Sequence, residues 1–350
     1  MTGKYMAYVG SYSYTGKAKG ITVYDVDVEA GKFIYRCEVE VDNSSYLKSS
    51  QNGKILYSIA DEGVVAFRVL PNGSLARLNS AKIKGMRGCH LSTSKADDYI
   101  FISGFHDGKI TVLHLNEDGS VGDIADGVFH KGLGSVAERS FRPHVSCSRL
   151  TPDERFLMVA DLGIDQIKVY RFDHKDGKIA LVDTIRCELE SAPKYFMFSS
   201  DGRFFYVLYE MKNVIEVYSY KEGERVPIVE KIQTISSTGN KPNQLTAACA
   251  MHFSPDEKHV FCSNAGDNTV SMYDRDDETG MLTLRFCLPI SGDYPKDIAI
   301  FPGGEHLASI NHEGSISFFK IDYEKGLLVM SDRSIKVNEP NCCEIVKIGD

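Results

Sequence analysis

Short apolar runs of four to eight residues, rich in Val, Ile, Tyr and Phe, recur along the whole chain, with polar turns between them. Within many runs apolar and polar positions alternate. Ile167, Val169 and Phe172 are apolar, whereas Lys168 and Arg171 are polar. A period of two puts successive side chains on opposite faces, so the runs predict β-strands. No long stretch carries the apolar spacing of an amphipathic helix. Asn-Gly or Asp-Gly occurs seven times, among them Asn52-Gly53, Asn72-Gly73, Asp107-Gly108 and Asp201-Gly202. These pairs tolerate positive φ and close tight hairpins.

The runs are organised in a repeat. An apolar run, a turn, a second run ending in an aromatic or aliphatic stretch, a polar turn and a third run recur six times. The copies begin at Ser44, Gly88, Pro143, Pro193, Ala248 and Pro295. Aligning their first turn places Gly53, Asp97, Glu154, Gly202, Glu257 and Gly304 at one position, at intervals of 44, 57, 48, 55 and 47 residues. A multi-stranded unit of this period predicts a β-propeller. YMAYVGSY from Tyr5, GITVYDVDV and FIYRCEVEV read as the second, third and fourth strands of a further unit. Its first strand is NCCEIVKI, from Asn341. The expectation is an all-β, seven-bladed propeller with four-stranded blades, in which residues 1–350 make one domain. The last blade is closed by N-terminal strands plus the C-terminal strand, which leaves no open edge. The chain has no Trp, and Gly-His and Trp-Asp pairs and the paired-glycine pattern of kelch repeats are absent, which argues against the propeller families that carry them.

Composition narrows the functional classes. Hydrophobic residues make up 43% and charged residues 25%, as in globular soluble proteins. A net charge of −8 with no basic stripe argues against nucleic-acid binding. No apolar run is long enough to cross a membrane, and the start, MTGKYMAYVG, lacks the pattern of a secretion signal. Nine cysteines, with no Cys-x-x-Cys pair, predict free thiols in a reducing cytoplasm. Cys342 and Cys343 are adjacent and fall on alternate faces of a strand.

In a propeller, the starts of the innermost strands and the ends of the second strands surround the channel mouth. The first group supplies Tyr46, His90, His144, Lys194, Tyr195 and Lys296. The second supplies Asp61, Glu62, Asp161, Glu210 and Asn264. His144, in FRPHVS, is a candidate general base or acid, since an imidazole exchanges protons near neutral pH. Glu210 ends an aromatic strand and can polarise a histidine or hold a hydroxyl, or pair with Lys194 or Lys212. Lys194 and Lys296 occupy equivalent positions after a proline and can bind phosphate or carboxylate, or stabilise an oxyanion. Arg142 is a candidate for pairing with an anion. Tyr46, His90 and Tyr195 are candidate substrate-binding wall residues. His252, His259 and His306 read as core or surface histidines. No nucleophile elbow, phosphate-binding glycine loop or His-Glu-x-x-His motif is present, and neither a metal nor an organic cofactor is expected.

Several of these segments, in this order, resemble the seven-bladed propeller lactonase family, which includes propeller-type 6-phosphogluconolactonases and fungal carboxymuconate-lactonising enzymes. They are YVGSY at 8–12, SYL at 45–47, RPH at 142–144 followed by TPDERFLMVADLGIDQIKVY, PKYFMFSSDGRFFYVLYE, and MHFSPDEKHVFCSN. The resemblance spans nearly the whole chain. It departs from the family at the mouth. Ser146 replaces the second histidine of His-x-His, Pro-Lys-Tyr at 193–195 and Pro-Lys-Asp at 295–297 replace Pro-Arg-His, and Ala250 replaces a glutamate. By resemblance, the expected function is hydrolysis of an anionic, sugar-derived lactone such as 6-phosphogluconolactone, in carbohydrate metabolism by way of the pentose phosphate pathway. The expected catalytic residues are His144, Glu210 and Lys194; those binding substrate are Arg142, Lys296, Tyr46, His90 and Tyr195. The partner is a small anionic lactone or sugar acid, with no nucleic acid or membrane and a monomer as the default. Two alternatives stay open: a lactone-forming cycloisomerase, and a propeller that binds a metabolite or protein without chemistry.

Overall fold

A computed structural model describes residues 3–134, 141–239 and 245–349. Within them the chain forms 28 strands and no helix, arranged as seven four-stranded antiparallel sheets in a ring. The innermost strands of blades 1 to 6 are Leu47–Ser49, His90–Thr93, Val145–Leu150, Pro193–Phe198, Ala247–Phe253 and Pro295–Ile300. Blade 7 is the split one. Its innermost strand, Pro340–Ile348, pairs antiparallel with Lys4–Ser11, with Lys4 opposite Ile348 and Tyr8 opposite Glu344. Gly20–Asp27 and Lys32–Glu40 complete the blade. Both chain ends are therefore tied into one ladder, as the repeat predicts.

The core lies between blades. Met6, Tyr8 and Ile21 of blade 7 pack with Leu56, Val65 and Phe67 of blade 1, and each successive pair of blades has an equivalent cluster. Second strands are buried on both faces, as in Phe204–Tyr209 and Phe156–Asp161. That explains why they read as nearly continuous apolar runs. Outermost strands such as Lys178–Arg186 are largely exposed.

The turns joining first and second strands repeat closely. Gly53, Asp97, Glu154, Gly202, Glu257 and Gly304, aligned from sequence, all have φ between 53° and 79°. Glycine adopts this conformation without steric cost, and an acidic residue does so against strain. The three acidic residues recover hydrogen bonds across blades: Gln51 N donates to Asp97 Oδ2 at 2.7 Å, Lys95 N to Glu154 Oε1 at 2.6 Å, and Ser200 N to Glu257 Oε2 at 3.0 Å. Of the seven Asn-Gly and Asp-Gly pairs, Asp126-Gly127 lies instead inside the outermost strand Val121–Phe129.

Candidate active site at the channel mouth

Four innermost strands carry a bulge at the same place. Val145 pairs with Asp161 and Cys147 with Ala160, so Ser146 is an extra residue. Lys194, Cys249 and Lys296 are the extra residues at the matching steps of blades 4, 5 and 6. A bulged residue leaves the ladder and its side chain is re-aimed, which is why bulges gather near functional sites. All four of these residues line one cavity of about 100 Å³ on the propeller axis. Tyr46, His90 and Tyr195 line it too, together with Cys89, His252 and Asp297.

Lys194 Nζ donates to Glu210 Oε2 at 2.5 Å and lies 3.9 Å from Cys249 Sγ. Burial opposes the ammonium, but Cys249 and Glu210 beside it more than offset that and hold its pKa above the usual lysine range. Of the second-strand ends, Glu210 alone is joined to a cavity residue by such a bond among the described contacts. Asp161 accepts from His130 Nδ1, 2.7 Å away, and from the backbone N–H of His144 at 2.8 Å. Asp61 accepts from Asn43 and from Arg87, and Glu62 pairs with Lys82 at the surface. Asn264 donates to Ser237 O. Lys212, the other partner considered for Glu210, bonds to Glu188.

His144 is buried just outside the residues that line the cavity, two positions before Ser146. Its Nδ1–H donates to Phe105 O at 2.7 Å, and the ring stacks on Phe105 with centroids 4.3 Å apart. In the neutral ring this leaves the lone pair on Nε2, the arrangement a general base requires. The Phe105 carbonyl, not Glu210, thus orients His144. Gly163 makes room for the segment: a Cβ there would come within 1.8 Å of Arg142 O and 2.9 Å of His144 N. Arg142 is exposed, with its guanidinium 5.6 Å from the Phe141 ring centre. The Lys296 ammonium lies 5.4 Å from the ring centre of Tyr294.

The cavity wall is knitted together by aromatic rings. His90 packs between Tyr46 at 4.8 Å and Tyr195 at 5.8 Å. Burial first, then Arg149 and Lys48, push the His90 pKa well below the ordinary histidine value. His90 is therefore a neutral wall residue. Arg149 was missed by sequence reasoning. Its Nε donates to Phe196 O at 2.9 Å, its Nη2 donates to the Tyr195 hydroxyl, and it stays charged despite burial. An arginine within an innermost strand was the available signal. His252 was also misplaced: it lines the cavity and bonds Asp297 Oδ1 at 2.8 Å, instead of serving as a core or surface histidine. The nine cysteines are free thiols, and no cluster able to hold a metal occurs among the described residues.

A family model described as "Lactonase, 7-bladed beta-propeller" matches residues 6–345. The chain belongs to the seven-bladed β-propeller lactonase family. A Bacillus subtilis 6-phosphogluconolactonase is 27% identical over 98% of this chain and 99% of its own length. A Formosa agariphila protein named 6-phosphogluconolactonase is 26% identical, covering 95% and 96%. A Bacteroides fragilis structure, assigned as a candidate 6-phosphogluconolactonase, superposes with a TM-score of 0.89 at 29% identity, covering 99% and 98%. The periplasmic gluconolactonase of Pseudomonas aeruginosa shares the fold, with a TM-score of 0.91 at 24% identity over 99% and 100%. No helix among the described residues is long and apolar enough to cross a membrane.

Proposed function

We propose that this lactonase-family chain hydrolyses an anionic, sugar-derived lactone, with 6-phosphogluconolactone as its substrate. The observation that carries the reading is the pair Lys194 and Lys296, turned by equivalent bulges into one small cavity, with His144 held just outside its lining by the Phe105 carbonyl. Water attacks the lactone carbonyl, and His144 Nε2 takes its proton. A positioned base of this kind contributes about 10²–10⁴-fold. Lys194 stabilises the oxyanion, and Glu210 keeps its ammonium placed and charged. Lys296 and Arg142 hold the substrate's phosphate, while Tyr46, His90 and Tyr195 form the wall that receives the sugar. The mechanism requires no metal. The names of full-length relatives support the reading, and nine free thiols support placing the protein in the cytoplasm.

The test follows acid formation from 6-phosphogluconolactone and from gluconolactone by NMR, with spontaneous opening subtracted. The expected product is 6-phosphogluconate, with kcat/KM at least about tenfold above that for the unphosphorylated lactone, near the low end of what one hydrogen bond to a charged group supplies. Acceleration of neither lactone would overturn the assignment.

A further inference from the structure

One titratable pair on the cavity wall has no part in the reaction as described so far. His252 stands in the innermost strand of blade 5 and lines the cavity. Its Nε2–H donates to Asp297 Oδ1. Asp297 is held in turn by the backbone: Ile298 N donates to Oδ1 at 2.9 Å, and Cys343 N to Oδ2 at 2.9 Å. The carboxylate is buried with both oxygens occupied, whereas the imidazole side chain remains 34% exposed. Nδ1 is therefore the nitrogen available to the cavity. An imidazole oriented by a fixed carboxylate is the arrangement that stabilises an imidazolium during proton transfer. The framework does not demand histidine here, because the matching step of blade 6 is Ala299.

His252 in blade 5 and Lys194 in the adjacent blade 4 line the same cavity. A carbonyl held at Lys194 therefore shares that cavity with the His252 imidazole, while His144 leads into blade 3 just outside the lining. We propose that His252, positioned by Asp297, protonates the ring oxygen as it leaves, an assignment that rests on the lactone-hydrolysis reading. In the first half of the reaction the water oxygen bonds to the carbonyl carbon as the C=O π pair moves onto the carbonyl oxygen, and the water proton passes to His144 Nε2. In the second half that pair re-forms the carbonyl, the bond between the carbonyl carbon and the ring oxygen breaks, and the ring oxygen takes the proton from His252 Nδ1. Asp297 Oδ1, bonded to Nε2–H, keeps the ring oriented through the transfer. One proton released by His144 to solvent and one regained by His252 restore the site.

The experiment measures kcat and KM for 6-phosphogluconolactone and for dihydrocoumarin, whose phenolate leaves without needing a proton, in wild type, His252→Gln and Asp297→Asn. For His252→Gln the expected loss in kcat is about 10²-fold on the sugar lactone, with KM nearly unchanged, and under about tenfold on the aryl lactone. Asp297→Asn shows the same split to a smaller degree, which loss of packing alone would not produce. Thermal unfolding of His252→Gln checks that this variant is folded. Wild-type kcat in both variants, or an equal loss on both lactones, overturns the role of His252 and leaves hydrolysis standing. A wild type that opens neither lactone removes both assignments together.

Discussion

The two ends of the innermost strands follow opposite rules. At the end where they turn into the second strands, six blades share one geometry, with a positive-φ residue at each matching position from Gly53 to Gly304. At the other end the matching bulge positions hold Ser146, Lys194, Cys249 and Lys296, four side chains in three chemical types. One end is built by repetition, because every blade must meet its neighbour in the same way. The other end is built by departure, since a single cavity on the axis takes different side chains from different blades. Within such a ring, what repeats holds the fold and what varies does the chemistry.

If that division is right, substitutions at the mouth change turnover, whereas those at the turns leave it unchanged. The largest effect is expected for His144→Ala, which should lower kcat about 10²–10⁴-fold, measured on 6-phosphogluconolactone in steady state. Next is Lys194→Met, which takes from the buried Glu210 its ion-pair partner. A loss of about 3 kcal/mol is expected from denaturant unfolding, and Lys194→Met combined with Glu210→Gln should recover more than half of it. Because the Lys194 pKa is raised, the pair's contribution is complete below the unfolded lysine value, about 10.4, and fades only as pH rises above it. Unfolding free energies at pH 6 and 9 should therefore show the same Lys194→Met penalty.

A smaller effect belongs to the framework in acid. Burial pushes His90 and His130 below the ordinary value; for His130 the pull of Asp161 does not fully counter it. The unfolded chain then binds more protons than the native one just below pH ~6.5, so stability present above that value is lost as pH falls. Each group contributes at most about 1.4 kcal/mol per pH unit, and His130→Gln should flatten the slope between pH 6.5 and 5. The smallest expected effect is that of Gly202→Ala. It puts a Cβ at φ 70° and 3.0 Å from Pro152 Cβ, which should cost about 1 kcal/mol and leave kcat unchanged. A large kcat loss in Gly202→Ala would blur the division between the two ends.

The fold was legible because repetition is written locally. Alternation, Asp-Gly and Asn-Gly turns and the aligned position all belong to single blades, and even the closing pair Lys4–Ser11 and Pro340–Ile348 followed from counting strands. The site was legible only in part. Tyr46, His90, Lys194, Tyr195 and Lys296 were found because they follow loops at matching positions. Arg149 and the His252–Asp297 pair were not, for two physical reasons. A bulge slips the register by one residue, so alternation past it no longer tells which side chains face the axis. The partner that gives His252 its meaning is 45 residues away in another blade. The orientation of His144 likewise depends on the carbonyl of Phe105, a group that any residue at that position would supply.

The most direct test of the account is the initial rate of 6-phosphogluconolactone opening with wild type and His144→Ala side by side, after subtracting the spontaneous reaction. The account predicts clear acceleration by the wild type and a rate near the uncatalysed one for the variant. A variant as fast as the wild type, or a wild type no faster than buffer, would contradict it.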